Sequence, residues 1–291
     1  MSLRFKHNTI AIAYDFDGTL TPLPMQEYTV LPEIPIKPNK FWSLVKEESI
    51  KTGGEEIITY MRLMIEKAHE NHVAVTPRLL KDLATRIRFY PGVETYFDRI
   101  DRYVRSTYGK SISIRHYIIS SGLVEIISHT SIAKKFHNIF ASQYHFDEYG
   151  HATFPNIVVN DTLKTQFIFR INKGVENLNE SINTHMLESD RAIPFQNILY
   201  IGDGLTDVPC MTVTRKNGGS AIAVYRSYSK KFKSISKSLL ASKRVDFIAK
   251  ADFRRNSELD KLIKFVIDAM VVGIKYGRVS FNQRKQFCSG G

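Results

Sequence analysis

Apolar residues along the chain follow two patterns. Short unbroken runs at residues 10–14, 117–119, 139–141, 198–201, 221–224 and 247–248 read as strands buried on both faces. Between them, apolar residues recur every three or four positions, as Tyr96, Phe97, Ile100, Tyr103 and Val104 do, and this spacing predicts helices packed by one face. Further helices are predicted through Val124, Ile127 and Ala133, over 162–173, over 175–187, along a Lys-rich stretch whose face is Phe232, Ile235 and Leu239, and from Leu259 to Ile274. Residues 148–151 read as a hairpin turn. Strands alternating with helices predict an α/β fold with a parallel central sheet between helical layers.

One segment breaks the alternation. Pro22, Pro24, Pro32, Pro35 and Pro38 are spaced to forbid regular helix and predict a linker leading out of the first strand. Beyond it Ile57, Met61, Met64, Ile65 and Ala68 keep helical spacing. Thr76-Pro77 then reads as an N-cap with proline at the first helical position, ahead of Leu79, Leu80, Leu83 and Ile87. The expected organisation is an α/β core of residues 1–21 and 89–291, with a mainly helical insert at 22–88.

Several strand ends carry polar clusters. Residues 10–14 run into Asp15-Phe16-Asp17-Gly18-Thr19, residues 117–119 into Ser120-Ser121-Gly122, and residues 198–201 into Gly202-Asp203-Gly204-Leu205-Thr206-Asp207. In open parallel sheets ligands bind beyond the carboxyl ends of the strands, so these clusters are expected to converge there, with a lysine from the 160s or 170s. Unpartnered carboxylates repel one another, and gathering several is physically sensible around a hard cation, for which magnesium is the natural choice. Hydroxyl and ammonium donors beside such a metal would neutralise phosphoryl oxygens while one carboxylate attacks phosphorus and a second moves the proton.

These motifs, in this order, resemble those of the haloacid dehalogenase-like (HAD) superfamily, with the layout of phosphoserine phosphatase-like members. The resemblance covers residues 10–25 and 90 to about 255, and residues 22–88 occupy the place of the family's type 1 helical cap. It implies a Rossmannoid three-layer α/β/α core and an Mg2+-dependent phosphoric monoester hydrolase (EC 3.1.3.-) working through an aspartyl-phosphate intermediate. Asp15 matches the nucleophile, and Asp17 the general acid and base whose main-chain carbonyl also binds magnesium. Ser120 matches the phosphoryl-holding hydroxyl, with Ser121 and Gly122 beside it. Asp203 matches the metal-binding acid of the last motif, and Asp207 its second acid. The family's lysine corresponds to Lys164 or Lys173, and Lys164 is preferred because it opens the helix containing Phe167, Ile168 and Ile171. The same fold also serves phosphotransferases and phosphomutases, which pass the phosphoryl group to an acceptor other than water.

Composition adds limits. Apolar residues make up 43% and charged residues 24% of 291 positions, ordinary for a folded chain of this length. Every long apolar stretch is interrupted by charge, so no membrane span is expected, and the polar lead from Met1 carries no signal-peptide cleavage pattern. Cys210 and Cys288 make neither a disulfide framework nor a metal spacing, and the expected location is the cytoplasm. The net charge of +12 suits either a nucleic-acid or protein-binding module without turnover, or the steering of small anions. No nucleic-acid recognition motif accompanies the charge, so the expected partner is a small phosphorylated metabolite. His69 and His72, near each other in sequence, lack a third metal ligand in the sequence pattern.

Overall fold

A computed structural model describes residues 5–226 and 230–288, without the side chains of 230–232 and 288. The start of the polar lead at 1–4 and the side chains of Phe232 and Cys288 therefore lie outside the described residues. The strands are β1 (Thr9–Tyr14), β2 (Ser113–Leu123), β3 (Asn138–Phe146), β4 (Ala152–Ile157), β5 (Ile198–Gly202), β6 (Ser220–Tyr225) and β7 (Phe247–Lys250). They form one sheet in the order β4-β3-β2-β1-β5-β6-β7, parallel throughout except that β4 runs antiparallel to β3 at the edge. The turn expected at 148–151 joins that antiparallel pair, whose Asp147 side chain accepts the backbone N–H groups of Tyr149 and His151.

Alternation along β1 assigns its residues to opposite faces. Ile10, Ile12 and Tyr14 join one apolar cluster, while Ala11 and Ala13 join another with Tyr117, Ile119, Phe167, Ile168 and Met211. This is why the central strands read as unbroken apolar runs: each is buried from both sides. The helices that cover them are α1 (Met25–Tyr28), α2 (Val30–Glu33), α3 (Pro38–Thr52), α4 (Glu56–Glu70), α5 (Pro77–Leu83), α6 (Val93–Tyr108), α7 (Val124–Ile127), α8 (Lys164–Lys173), α9 (Val208–Lys216), α10 (Lys230–Ala241) and α11 (Glu258–Cys288). α6 and α11 lie on one face, and α8 and α9 on the other, which makes three layers.

The helices α1 to α5 all fall between β1 and α6, and their buried residues are continuous with the apolar cluster on the α6 face. Entry and exit of this segment are tied by the Tyr90 N–H donating to the Leu20 carbonyl at 2.9 Å. It reaches the sheet through the Tyr60 hydroxyl, which donates to the Ser121 carbonyl (2.8 Å), and the Ala152 N–H, which donates to the Val75 carbonyl (2.8 Å).

Four sequence expectations need correction. The proline-rich stretch is not all linker, because α1 and α2 are single helical turns within it. Proline is tolerated there because Pro24 precedes α1 and Pro32 lies in a first turn, where no intrahelical N–H is needed. The helix through Val124 ends at Ile127, and Ala133 belongs to a separate 3₁₀ turn. Residues 175–187 form no helix: Asn177 and Ser181 bond nearby backbone N–H groups through their side chains, the competition that disfavours asparagine and serine inside helices. Arg170 instead collects the carbonyls of Val175, Asn177 and Glu180, and Lys173 those of Ile182 and Thr184. The final helix also continues well past Ile274.

Candidate active site

β1 and β5 are adjacent and parallel, so their carboxyl ends open onto the same crevice. Asp15 follows β1, and its N–H donates to the Ile201 carbonyl at 2.9 Å, which fixes the backbone of the two strand ends together. Beyond it the chain turns through Gly18, whose φ of +82° lies in the left-handed region. A Cβ at Gly18 would fall on the Asp203 carboxylate, so the glycine is needed twice, for the turn and for the close approach of Asp203.

Lys164 is the hub. It opens α8, is 1% exposed, and its Nζ donates to Asp15 Oδ1 at 2.9 Å and to Asp207 Oδ1 at 2.8 Å. Lys173, the other lysine considered, lies at the far end of α8 and spends its ammonium on loop carbonyls. Asp207 is satisfied on both oxygens: Oδ1 also accepts the Tyr200 hydroxyl at 2.7 Å, and Oδ2 accepts the backbone N–H groups of Asp203 and Gly204. Four donors fill a carboxylate's acceptor sites. Asp207 therefore holds Lys164, Tyr200 and the turn bearing Asp203 in place.

Asp15, Asp203 and Asp207 each bring an oxygen within 4.8 Å of the others. The Asp17 carboxylate is turned another way, accepting the Met25 N–H at 2.8 Å at the start of α1. Ser120 is buried near the end of β2, where the pairing with β3 shifts register, and its hydroxyl accepts the Gly122 N–H at 3.0 Å. Ser121 leaves its hydroxyl buried without a hydrogen-bond partner, and so does the Oε1 atom of Gln26 on α1. Every site residue expected from the sequence is thus at the carboxyl end of β1, β2 or β5 or, for Lys164, at the adjoining end of α8.

The electrostatics follow from burial. Asp15 is pushed up to about 7 by desolvation and repulsion from Asp207, against the pull of Lys164. Asp17 rises to about 8 through desolvation and the nearby Asp15 charge, opposed by the Met25 N–H. Asp203 is pushed well above the usual carboxylate range by desolvation, Asp207 and Asp15. Desolvation opposes the charge on Lys164, but Asp15 and Asp207 outweigh it and hold the ammonium firmly protonated.

One buried lysine cannot balance this many carboxylates, and the donor set is all hard oxygen. The residues fit a divalent cation such as magnesium, which binds few protein carboxylates and favours oxygen ligands. With Asp207 saturated by its donors, Asp15 and Asp203 are the carboxylates that could hold one.

Sequence reasoning missed three contributors. Tyr200 lies within an apolar run and is indistinguishable there from a packing residue, although its hydroxyl serves Asp207. Tyr60 of α4 reaches the Ser121 carbonyl, and the Met25 side chain lies over Gly122, with its sulfur 3.1 Å from the Leu123 nitrogen. No signal in the sequence separates Tyr200 or Tyr60 from a packing residue, and Met25 is marked only by its place after the Pro22–Pro24 stretch.

The fold is similar to that of solved structures of phosphoserine phosphatases and of a HAD-family hydrolase. A substrate-bound phosphoserine phosphatase superposes with a TM-score of 0.55 at 14% identity, over 88% of this chain and 98% of its own. A phosphoserine phosphatase solved as a phospho-aspartyl intermediate analogue gives 0.53 at 15%, over 89% and 99%. A HAD-family hydrolase from Salmonella enterica serovar Typhi gives 0.54 at 15%, over 84% of this chain and 67% of its own. By sequence, the chain is 29% identical over 278 residues to an uncharacterized protein of Borreliella burgdorferi, covering 87% of this chain and 95% of that protein. No protein-family model matches the chain.

Proposed function

We propose that the chain is an Mg2+-dependent phosphatase that hydrolyses a small phosphomonoester through an aspartyl phosphate on Asp15. The observation that carries this reading is the hub at Lys164, which holds Asp15 beside Asp207 and Asp203 at the carboxyl ends of β1 and β5. The layout shared with phosphoserine phosphatases supports it.

In this mechanism a carboxylate oxygen of Asp15 attacks phosphorus as the ester P–O bond breaks, and Asp17 gives its proton to the leaving oxygen. A general acid must carry a proton near neutral pH, and the raised value of Asp17, about 8, suits that task. Asp17 then takes a proton from water as that water attacks the phosphorus, releasing inorganic phosphate and restoring Asp15. Lys164 and the Ser120 hydroxyl hold the phosphoryl oxygens, while Asp207 keeps the lysine aimed. Bound to Asp15, Asp203 and the Asp17 carbonyl, magnesium would neutralise charge on the phosphoryl group. The helical insert of residues 22–88 acts as the cap that excludes water and meets the leaving group, and the enzyme works in the cytoplasm.

A phosphate-release screen over phosphorylated amino acids, sugars and nucleotides, with and without magnesium, tests the proposal. Turnover of at least one ester is expected only with the metal, and Asp15→Asn is expected to lower it by at least about 10³-fold. Release by Asp15→Asn at the wild-type rate, or no release from any ester, would overturn the assignment.

A further inference from the structure

α11 has two apolar faces. Leu259, Ile263, Val266, Ile267, Met270, Val271 and Ile274 are buried against the sheet. On the opposite side Phe265 (62% exposed), Val272 (68%), Tyr276 (77%), Val279 (66%) and Phe287 (79%) face solvent. At 3.6 residues per turn these five fall within an arc of about 80°, centred roughly opposite the buried face. Isolated exposed apolar residues need no explanation, but a continuous stripe does.

The stripe has the spacing of a coiled-coil seam. Phe265, Ala269, Val272, Tyr276 and Val279 succeed one another by four, three, four and three residues, the alternation of d and a positions in heptads. A seam of this kind is complementary to another helix carrying the same pattern, and the nearest source of that helix is a second copy of this chain. We propose that α11 is a dimerisation surface, on which the exposed stripe of one copy packs antiparallel against the same stripe of another.

Charge favours the antiparallel sense. Asp268 and Lys275 flank the seam on the same side, seven residues apart. Asp268 is fixed by the hydroxyls of Tyr103 and Tyr108, each donating to its Oδ1 at 2.6 Å, and Lys275 lies 5.2 Å from the centre of the Tyr108 ring. Antiparallel pairing sets Asp268 opposite Lys275 of the second copy, twice by symmetry, whereas parallel pairing sets them opposite Gly273 and Ser280, which carry no charge. It also layers Phe265 against Tyr276 and leaves Ala269 beside Val272 at the centre, where small side chains let the helices approach.

In this register Phe265, Ala269, Val272 and Tyr276 of each copy pack together, roughly 400 Å² of apolar surface per copy, about half the ~800 Å² a standard interface buries on each partner and the size of a weak, concentration-dependent dimer. A groove of ≈ 480 Å³ opens along its flank through Ala269, Gly273 and Gly277 and could receive the rim of the second copy.

Sedimentation equilibrium on the full chain, up to ~100 µM, tests the proposal. Wild-type protein is expected at twice the chain mass. Val272→Glu and Tyr276→Glu should weaken association at least tenfold, while Ser238→Glu, the same charge on the exposed face of α10, should not. Unchanged circular dichroism and melting of the variants separates lost association from lost folding. With Cys288→Ser removing a native thiol, Ala269→Cys combined with Val272→Cys should cross-link the copies on oxidation, and Tyr276→Cys alone should not. A wild-type monomer at every concentration overturns the proposal, including one that instead binds phosphatidylserine vesicles through the stripe. Charged variants that still dimerise, or cross-linking through Tyr276→Cys alone, overturn it as well. Phosphate release does not enter these readouts, so their failure leaves the catalytic assignment standing.

Discussion

Below the crevice every polar atom of Asp207 is engaged, by Lys164, Tyr200 and two backbone N–H groups. Above it, the Ser121 hydroxyl and Gln26 Oε1 are buried without partners, although Gln26 stands beside the Tyr60 hydroxyl that caps the Ser121 carbonyl. An unpaired buried polar atom costs about 1–3 kcal/mol. A floor with Asp207 saturated, under a ceiling with unpaired groups at Ser121 and Gln26, is what an enzyme needs if one half of its substrate is always the same and the other half distinguishes it. On the proposed function the floor handles the phosphoryl group and the ceiling reads what is attached to it.

The sharpest way to break this comparison is at the hub of the floor. Lys164→Met strands Asp15 and Asp207, and loss of one partner from a buried ion pair costs about 3–5 kcal/mol. We expect a clear drop in melting temperature and a loss of about 10²–10³-fold in kcat, read by thermal melts and phosphate release. A variant that melts like wild type would mean the floor is not the rigid element described.

A smaller effect should appear with pH. Asp15 at about 7 and Asp17 at about 8 hold protons in the folded protein that the unfolded chain, near 3.8, has already released. Between about pH 4 and 8 the folded state therefore binds more protons, and stability falls as pH rises. Metal-free protein is expected to melt at least about 4 °C lower at pH 8 than at pH 5. On the proposed function magnesium competes with the proton on Asp15, so its stabilising effect should be larger at pH 8 than at pH 5. A metal effect that ran the other way would count against Asp15 and Asp203 as its ligands.

The smallest change belongs to the ceiling. Gln26→Ala should raise KM for the preferred ester by about three- to tenfold, keep kcat, and leave a small generic ester such as phenyl phosphate unaffected. Loss of kcat on every ester would place Gln26 with the floor and erase the distinction.

The two halves differ equally in how legible they were. Asp15, Asp203 and Asp207 were readable because parallel strands buried on both faces appear as apolar runs, and carboxylates that end such runs have few structural reasons to be there. Lys164 was readable only as one of two, since a lysine's destination is settled by tertiary contacts that leave no trace in spacing. In the helical segment, Met61, Met64 and Ala68 report packing whether or not a ligand sits nearby, and the polar tips of Tyr60 and Gln26 are hidden among them. The helix expected at 175–187 failed because its asparagines and serines compete for backbone N–H groups, and because two cations outside the segment bind its carbonyls, which spacing does not reveal. The outer stripe of α11 escaped notice because the stronger inner stripe already accounted for the helix.

That loop at 175–193 has a mechanical consequence for α8. The helix is fastened at its first residue, Lys164, to the two carboxylates and at its last turn, through Arg170, Asn172 and Lys173, to the loop. Like a bolt tightened from both ends, it can neither slide nor turn. One residue inserted between 164 and 170 would rotate the lysine by about 100° relative to its far anchor. Length changes near Glu188, beyond the carbonyls that Arg170 and Lys173 grip, would leave the bolt seated. Homologous chains should therefore vary in loop length there while keeping the α8 spacing fixed.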